Sequence, residues 1–199
     1  GIDVTGPAAD GDDISIPPAD TAAILYTYRS HPLSDIVQPL LKNSINLYGE
    51  AVHRLNASGP LPHTNDQAPD GTKQRLMSWG ISADGFQIVD GSGLSRRDVL
   101  SPEMLLTVLV KMYDPAAASP WMRALPVAGV DGTLAGRMKG TPGENNVHAK
   151  TGTMSNVRSL AGYVTTRDGE PLAFTSIVNN FEGTGAQANA ALDAIAVRL

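Results

Sequence analysis

Two short motifs in this 199-residue chain contain side chains that could transfer protons or bind a carboxylate. The first is Lys150-Thr151-Gly152, which directly precedes a segment with the alternating pattern of a β-strand. A lysine at a strand edge offers a positive charge to a carboxylate, and Thr151 adds a hydroxyl donor. Gly152 leaves room for a peptide to lie alongside the strand, and the backbone N–H of Thr153 could stabilise an oxyanion. The motif predicts a peptide-binding edge, although a three-residue match also arises by chance.

The second motif is Ser44-Ile45-Asn46, which stands between two predicted helices. A serine and an asparagine two residues apart across a helix break can both face one cleft. Ser44 could then relay a proton, and Asn46 could form hydrogen bonds with an amide. Serine and asparagine also cap helices commonly, so this motif alone does not distinguish a catalytic site from a helix cap.

Four segments upstream of the Lys-Thr-Gly motif have apolar residues at helical spacing. Ser34 is the expected N-cap of the first, and Gly80 is expected to end the third. Ser101, followed by Pro102, is expected to begin the fourth. Residues 57–71 are rich in proline, glycine and polar side chains and are predicted to form a loop. The four predicted helices span residues 33–43, 45–55, 72–80 and 100–114.

The last third of the chain changes from helical to strand periodicity. Residues 158–181 contain two alternating runs joined by an Arg-Asp-Gly-Glu turn, which favours a β-hairpin. An alanine-rich segment at 185–199 predicts a terminal helix, and residues 86–93 have the pattern of a short strand running into a tight turn. Helices followed by an antiparallel sheet and a last helix indicate an α+β fold, with the antiparallel sheet flanked by helices.

Composition narrows the classes of partner. A formal net charge of −5 argues against nucleic acid, because phosphate binding requires a basic face. Cysteine is absent, which excludes a thiolate metal site and a cysteine nucleophile. The four histidines are scattered and form no H-E-x-x-H motif, so neither a metal nor another cofactor is expected.

Three other kinds of site have partial support in the sequence. His148 stands two residues before Lys150 and would share its face of a strand, so it could act as a base, although a strand-edge histidine is the commoner explanation. Ser92 cannot be the serine of a nucleophile elbow, because Asp90 occupies the required glycine position. Residues 181–189 contain two glycines of a phosphate-binding loop, but the adjoining sheet is expected to be antiparallel and no ribose-binding acid follows.

The two motifs occur in the order in which penicillin-recognising serine acyltransferases carry S-x-N and K-T-G, after an initial S-x-x-K. The intervening segments VDGSGLSRRDVLSPEMLLTVL and LPVAGVDGTLAGRM closely resemble the penicillin-binding protein 4 type of D-alanyl-D-alanine carboxypeptidase/endopeptidase. The segments PLSDIVQPLLKNSINLYGEAV and AKTGTMSNVRSLAGYV are similar to that family around its two motifs. The resemblance covers nearly the whole chain.

This resemblance implies a β-lactamase/transpeptidase-like fold and a serine-type hydrolase that cleaves peptidoglycan stem peptides through an acyl-enzyme. Ser44 and Asn46 match the S-x-N positions, and the K-T-G positions fall on Lys150, Thr151 and Gly152. The implied roles are proton transfer to the leaving amine for Lys150 and Ser44. Asn46 would hold the amide of the acyl side, and Thr151 would bind the terminal carboxylate.

The resemblance also implies contacts with the stem peptide from residues on either side of the cleft. Leu94 and Arg96, with Met154 and Ser155, are the expected contacts, although a tight turn with a surface arginine explains the first two equally well. β-Lactam antibiotics would acylate the same serine, because their ring mimics the D-Ala-D-Ala dipeptide. A periplasmic or extracellular location in the cell envelope follows from the substrate class.

The chain departs from the family at the nucleophile, since no serine stands three residues before any lysine. We therefore expect residues 1–199 to be the C-terminal part of the catalytic domain, with residues 1–30 as its re-entry segment. An N-terminal portion of the same enzyme would then be the partner that supplies the S-x-x-K serine, and this chain alone would be inactive. The alternative is a non-catalytic module that binds peptidoglycan or acts as a scaffold and keeps the fold without the reaction.

Overall fold

The computed structural model describes residues 6–7, 10, 26–57, 68–113 and 119–199. The backbone separates into two compact units, Gly1–His31 and Pro32–Leu199, and the described helices and strands all lie in the second. The expected re-entry segment at 1–30 falls mostly outside the described residues.

The second unit begins with helices and ends with a sheet and one more helix. Two single helical turns, Ala83–Gly85 and Gly132–Leu134, lie in the connections. None of the described helices is both long and apolar enough to cross a bilayer. The main elements are α1 (Leu33–Asn43), α2 (Asn46–Leu55), α3 (Ala68–Ser78), α4 (Pro102–Met112), α5 (Pro120–Ala124), β1 (His148–Met154), β2 (Val157–Thr165), β3 (Pro171–Asn179) and α6 (Gly185–Ala196).

The three strands form an antiparallel sheet in the order β1-β2-β3. Lys150 of β1 lies opposite Ala161 of β2, and Leu160 lies opposite Ser176 of β3. Opposite residues of an antiparallel pair share a face of the sheet, and neighbours along a strand alternate between faces. Lys150 and Ala161 therefore face one side of the sheet, while Leu160 faces the other.

Each face of the sheet is covered by helices. On one face, fully buried Leu160 and Leu192 form a core in which helix α6 packs on β2 and β3. On the other face, Tyr163 packs with Leu109 of α4 and with Leu125, which follows α5. Burying one such leucine contributes roughly 1.5–3 kcal/mol, so the two cores fix the sheet between its helical layers.

The α+β class and the predicted hairpin are confirmed, as are the helices at 33–43, 45–55 and 100–114 to within a few residues. Ser101 caps α4 as predicted, its Oγ accepting the N–H of Met104 at 3.2 Å. Gly80 follows the end of α3 with φ of +89°, and its N–H donates to the carbonyl of Met77. The last helix, α6, begins with a capping box formed by Thr184 and Gln187.

Three local predictions are wrong. Ser34 does not cap α1: Pro32 occupies the N-cap position, and the Ser34 hydroxyl donates to Asp35 instead. Helix α3 begins at Ala68, inside the segment expected to be a loop, and an aspartate in its first turn stabilises this start. Residues 86–93 form no strand beyond a single bridge between Gln87 and Val99, because side-chain carboxylates accept several of the following backbone N–H groups.

Candidate active site

A groove of about 670 Å³ lies between β1, the junction of α1 with α2, and a turn at residues 90–94. Both sequence motifs open onto this groove. The structure therefore brings together segments that are more than a hundred residues apart in the chain. Seven predicted site residues line it: Ser44, Asn46, Leu94, Lys150, Thr151, Gly152 and Thr153.

Ser44 is placed by a reversal of the chain at the end of α1. Its backbone is left-handed, with φ of 56° and ψ of 52°, and its N–H donates to the carbonyl of Leu40. This conformation costs a residue other than glycine roughly 1–2 kcal/mol. The reversal ends α1 and starts α2 two residues later, so Asn46 becomes the first residue of α2 and faces the same groove as Ser44.

Lys150 spans the groove to Ser44. Its Nζ donates to the Ser44 Oγ at 2.8 Å and to the carbonyl of Thr151 at 2.8 Å. Burial lowers the pKa of Lys150 below that of an ordinary lysine, because desolvation disfavours the ammonium form. A lysine with a lowered pKa in contact with a hydroxyl can exchange a proton with it, so the pair suits acid–base chemistry.

The outer edge of β1 can accept a further strand beside Lys150. Ala149 donates its N–H outward to the carbonyl of Pro126, and within the described residues no outward backbone–backbone bond follows along β1, where the Thr151 carbonyl accepts from the Lys150 side chain. N–H groups alternate between the two edges of a strand, so those of Thr151 and Thr153 also point outward. This free edge, which borders the groove, has the geometry that pairing with an extended peptide requires.

A clamp formed by α1 and the turn at 131–133 supports both motifs. The Lys42 Nζ contacts both carboxylate oxygens of Asp131, at 2.6 and 2.7 Å. A Cβ on Gly132 would lie 2.5 Å from the carbonyl oxygen of Lys42, so the two backbones are in direct contact. Thr133 then meets Thr151 through a 2.9 Å hydrogen bond between their hydroxyls. The sequence reasoning missed these residues, although the turn lies within the segment LPVAGVDGTLAGRM that carries the resemblance.

Leu94 belongs to a turn that is ordered by the Asp90 carboxylate. This carboxylate accepts the N–H groups of Gly93 and Ser95, the latter at 2.8 Å. Burial raises the pKa of Asp90, but hydrogen bonds from the two N–H groups and from the side chains of Asp98 and Ser92 together outweigh it, and the pKa lies below the ordinary value. The turn therefore presents Leu94, whose surface is 55% exposed, at the edge of the groove.

The structure does not bring every predicted residue to the groove. Arg96 is exposed beyond the turn, and Ser155 is exposed in the β1–β2 turn. The carbonyl of Met154 accepts a hydrogen bond from Arg158. None of the three lines the groove as the described residues form it, so their contact with a substrate stays a prediction.

His148 shares the sheet face of Lys150 but lines a different cavity, of about 490 Å³, together with Lys42 and Asp131. Burial and the positive charge of Lys42 lower the pKa of His148. The histidine is therefore not placed to act as a base in the groove. Within the described residues, no cluster of three or more histidine, aspartate and glutamate side chains could hold a metal ion.

Residues 9–199 match the family described as D-Ala-D-Ala carboxypeptidase 3 (S13). The chain belongs to this family. A D-alanyl-D-alanine carboxypeptidase of an Actinomadura species is 41% identical over 190 residues, which are 92% of this chain and 35% of that protein. The D-alanyl-D-alanine carboxypeptidase DacB of Haemophilus influenzae is 33% identical over 79% of this chain and 34% of its own length.

Solved structures agree with this membership of the S13 family. The crystal structure of penicillin binding protein 4 from Haemophilus influenzae superposes with a TM-score of 0.70 at 32% identity, covering 77% of this chain and 35% of that one. A predatory endopeptidase of Bdellovibrio bacteriovorus, at 19% identity and a TM-score of 0.58 over 84% of this chain and 42% of its own, shares the fold. This S13 chain thus spans about a third of the length of the curated relatives it matches.

Proposed function

We propose that the native protein is a serine-type D-Ala-D-Ala carboxypeptidase/endopeptidase that acts on peptidoglycan stem peptides through an acyl-enzyme. The observation that carries the proposal is the 2.8 Å contact of Lys150 with Ser44 inside a groove bordered by a free strand edge. Membership of the S13 family supports the reaction class. The names of the relatives, which are D-alanyl-D-alanine carboxypeptidases, support the substrate.

In this mechanism the attacking serine comes from an S-x-x-K motif outside the 199 residues. Its Oγ attacks the carbonyl carbon of the D-Ala-D-Ala amide and loses its proton to the lysine of that motif, which passes the proton to the Ser44–Lys150 pair. The C–N bond breaks to leave an ester on the serine. The leaving amine takes a proton through Ser44, which Lys150 re-supplies. Water then hydrolyses the ester and restores the serine hydroxyl.

The remaining groove residues position the peptide for this attack. The substrate pairs with the free edge of β1, where the outward N–H of Thr153 stabilises the negative oxygen of the tetrahedral intermediate. The side-chain amide of Asn46 holds the amide of the acyl side. The Thr151 hydroxyl binds the terminal carboxylate, which the positive charge of Lys150 also attracts.

β-Lactams are the expected inhibitors, because the strained ring presents a carbonyl and a carboxylate with the spacing of D-Ala-D-Ala. One solved relative, penicillin binding protein 4 of Haemophilus influenzae, has been seen in complex with a β-lactam. We place the protein in the periplasm or on the cell surface, where peptidoglycan lies. The 199 residues form the C-terminal part of the catalytic domain, and an N-terminal portion of the same enzyme completes it.

A non-catalytic module that binds peptidoglycan or acts as a scaffold is the second candidate, since no S-x-x-K motif stands within these 199 residues. Labelling with fluorescent penicillin distinguishes the two. The intact native protein should become covalently labelled and release D-alanine from a pentapeptide ending in D-Ala-D-Ala, whereas residues 1–199 alone should do neither. Heat-denatured protein and protein pretreated with unlabelled penicillin are the controls. An intact protein that binds the pentapeptide but stays unlabelled and releases no D-alanine would establish the module.

A further inference from the structure

The turn at residues 90–94 forms one wall of the groove although it belongs to no strand or helix. The turn itself has no ladder contact among the described residues, and a single bridge between Gln87 and Val99 flanks it. Five consecutive residues of the turn line the groove, so its position decides the width of the groove at this wall. Some other interaction must therefore hold the turn against the helical part of the molecule.

Glu50 provides that interaction. One carboxylate oxygen accepts the N–H of Ser92 at 3.0 Å, and the other accepts the N–H of Gly91 at 3.3 Å. Glu50 lies one helical turn after Asn46 on α2, so the helix that carries Asn46 also anchors the turn. Hydrogen bonds to an ionised carboxylate are roughly twice as strong as neutral ones, which makes this a firm attachment.

Two glycines allow the carboxylate to reach the turn. A Cβ on Gly49 would lie 2.6 Å from the carbonyl oxygen of Gly91, and a Cβ on Gly91 would lie 2.4 Å from the carbonyl oxygen of Gly49. The backbones of α2 and the turn therefore touch directly. Any larger residue at either position would push the turn away from Glu50.

Glu50 itself does not line the groove, so it acts on a substrate only through the turn. The turn contributes Leu94 to the groove together with Asp90 and Ser92, while Lys150 and Ser44 lie on β1 and at the α1–α2 junction. Leu94 is one of the expected stem-peptide contacts, so under the proposed function the turn contacts the part of the peptide that precedes the scissile bond. Displacing the turn should weaken binding of a long peptide and leave the chemistry intact.

We propose that Glu50 is a positioning residue that fixes the 90–94 turn and thereby sets the affinity of the groove for the upstream part of the stem peptide. The inference rests on the proposed function for the identity of the peptide. It concerns a different residue and a different property, namely the affinity for a long peptide and not the rate of acyl transfer.

The test uses the intact native protein with Glu50→Ala and Glu50→Gln, and Glu170→Ala in the β2–β3 turn as a matched control. The probes are a pentapeptide ending in D-Ala-D-Ala, N-acetyl-D-Ala-D-Ala and fluorescent penicillin. Glu50→Ala should raise KM for the pentapeptide about tenfold and leave kcat within about threefold of the wild-type value. The KM for the dipeptide and the rate of labelling by penicillin should also stay within about threefold of the wild-type values. Glu50→Gln keeps one acceptor oxygen and should restore most of the loss, and Glu170→Ala should match the wild type.

Equal losses of activity or labelling with all three probes, or no change with any of them, would overturn the positioning role of Glu50. If Glu50→Ala does not fold, the same comparison is made with Glu50→Gln, for which a smaller rise confined to the pentapeptide KM is expected. Calorimetric binding of the pentapeptide separates the two proposals. A wild-type protein that is not labelled by penicillin contradicts the proposed function, whereas binding that Glu50→Ala leaves unchanged contradicts the role of Glu50.

Discussion

The two walls of the groove are built in different ways. The sheet wall, which consists of β1, is part of a continuous ladder: every β1 residue from His148 to Met154 has a partner on β2. Beneath it, Ala149 and Leu160 are completely buried. The turn wall, residues 90–95, has no ladder and is held by the carboxylates of Glu50 and Asp90.

This difference separates two kinds of vulnerability. In the sheet wall, many backbone hydrogen bonds together fix the position of Lys150, so no single supporting side chain determines it. In the turn wall, each supporting carboxylate accepts two N–H groups, and its loss frees a whole turn. Regions with few ladder hydrogen bonds open at a low free-energy cost. The turn wall can therefore adjust to a bound peptide, whereas the sheet wall holds Lys150 in one position for proton transfer.

The largest expected effect comes from removing the functional group of the sheet wall. Lys150→Ala in the intact protein should slow labelling by fluorescent penicillin about 10²–10⁴-fold, the range typical of a lost acid–base group. Lys111→Ala, at the exposed end of α4, is the matched control and should label at the wild-type rate.

Lys150→Arg sharpens the same test, because a guanidinium keeps the charge but does not give up its proton. It should label nearly as slowly as Lys150→Ala. Labelling by Lys150→Arg at close to the wild-type rate would show that charge, and not proton transfer, is what the sheet wall supplies.

A smaller effect is expected at the clamp behind Ser44. Gly132 and Gly140 both have positive φ, of 56° and 69°, but a Cβ meets the Lys42 carbonyl only at Gly132 and has open space at Gly140. Gly132→Ala and Gly140→Ala should each lower the free energy of unfolding by roughly 1–2 kcal/mol, because alanine is strained at a positive φ. Gly132→Ala should lose about 1–3 kcal/mol more, because the backbones of α1 and the turn must separate.

Urea denaturation of the two glycine variants measures that difference, and penicillin labelling reports whether Ser44 moves. Labelling should slow in Gly132→Ala and stay unchanged in Gly140→Ala. Equal stability losses with equal labelling would mean that the clamp does not position Ser44.

The sequence predicts the sheet wall far better than the turn wall. The Lys-Thr-Gly strand and the helix break at Ser44 depend on local periodicity, which a single segment displays. The turn wall depends on Glu50, whose carboxylate bonds to residues 41 and 42 positions away in the chain. Its segment, 86–93, has the alternation of a strand, and tertiary hydrogen bonds override that preference.

The clamp was equally hidden, because Lys42 and Asp131 are 89 positions apart and a charged pair at that separation leaves no pattern. The resemblance to a known family pointed to its segment without giving any residue in it a role. Contacts between distant parts of the chain thus decided the parts of the site that sequence reasoning missed.

Among the smaller effects is the loss of the clamp's ion pair. Asp131→Asn weakens the ion pair with Lys42, in which the Asp131 side chain is partly exposed. The free energy of unfolding should fall by about 0.5–1 kcal/mol. Asp193→Asn breaks the similar pair of Arg137 with Asp193 beside α6 and should cost about as much. Labelling should slow severalfold in Asp131→Asn alone, since Lys42 lies two residues before Ser44. Slowing in both variants would indicate a general effect of stability.

The smallest effect is the dependence of stability on pH that Lys150 brings to the sheet wall. Burial lowers the pKa of Lys150 in the folded protein, whereas the unfolded chain titrates near the ordinary value of about 10.4. Between these two pKa values the unfolded state binds more protons, so stability must rise with pH there. Below the folded pKa, the buried ammonium imposes its full cost. The free energy of unfolding, measured by urea denaturation at a series of alkaline pH values, should therefore rise relative to that of Lys150→Met as pH increases through the folded pKa. Parallel curves for the two proteins would show that Lys150 is not desolvated and has no lowered pKa with which to exchange a proton with Ser44.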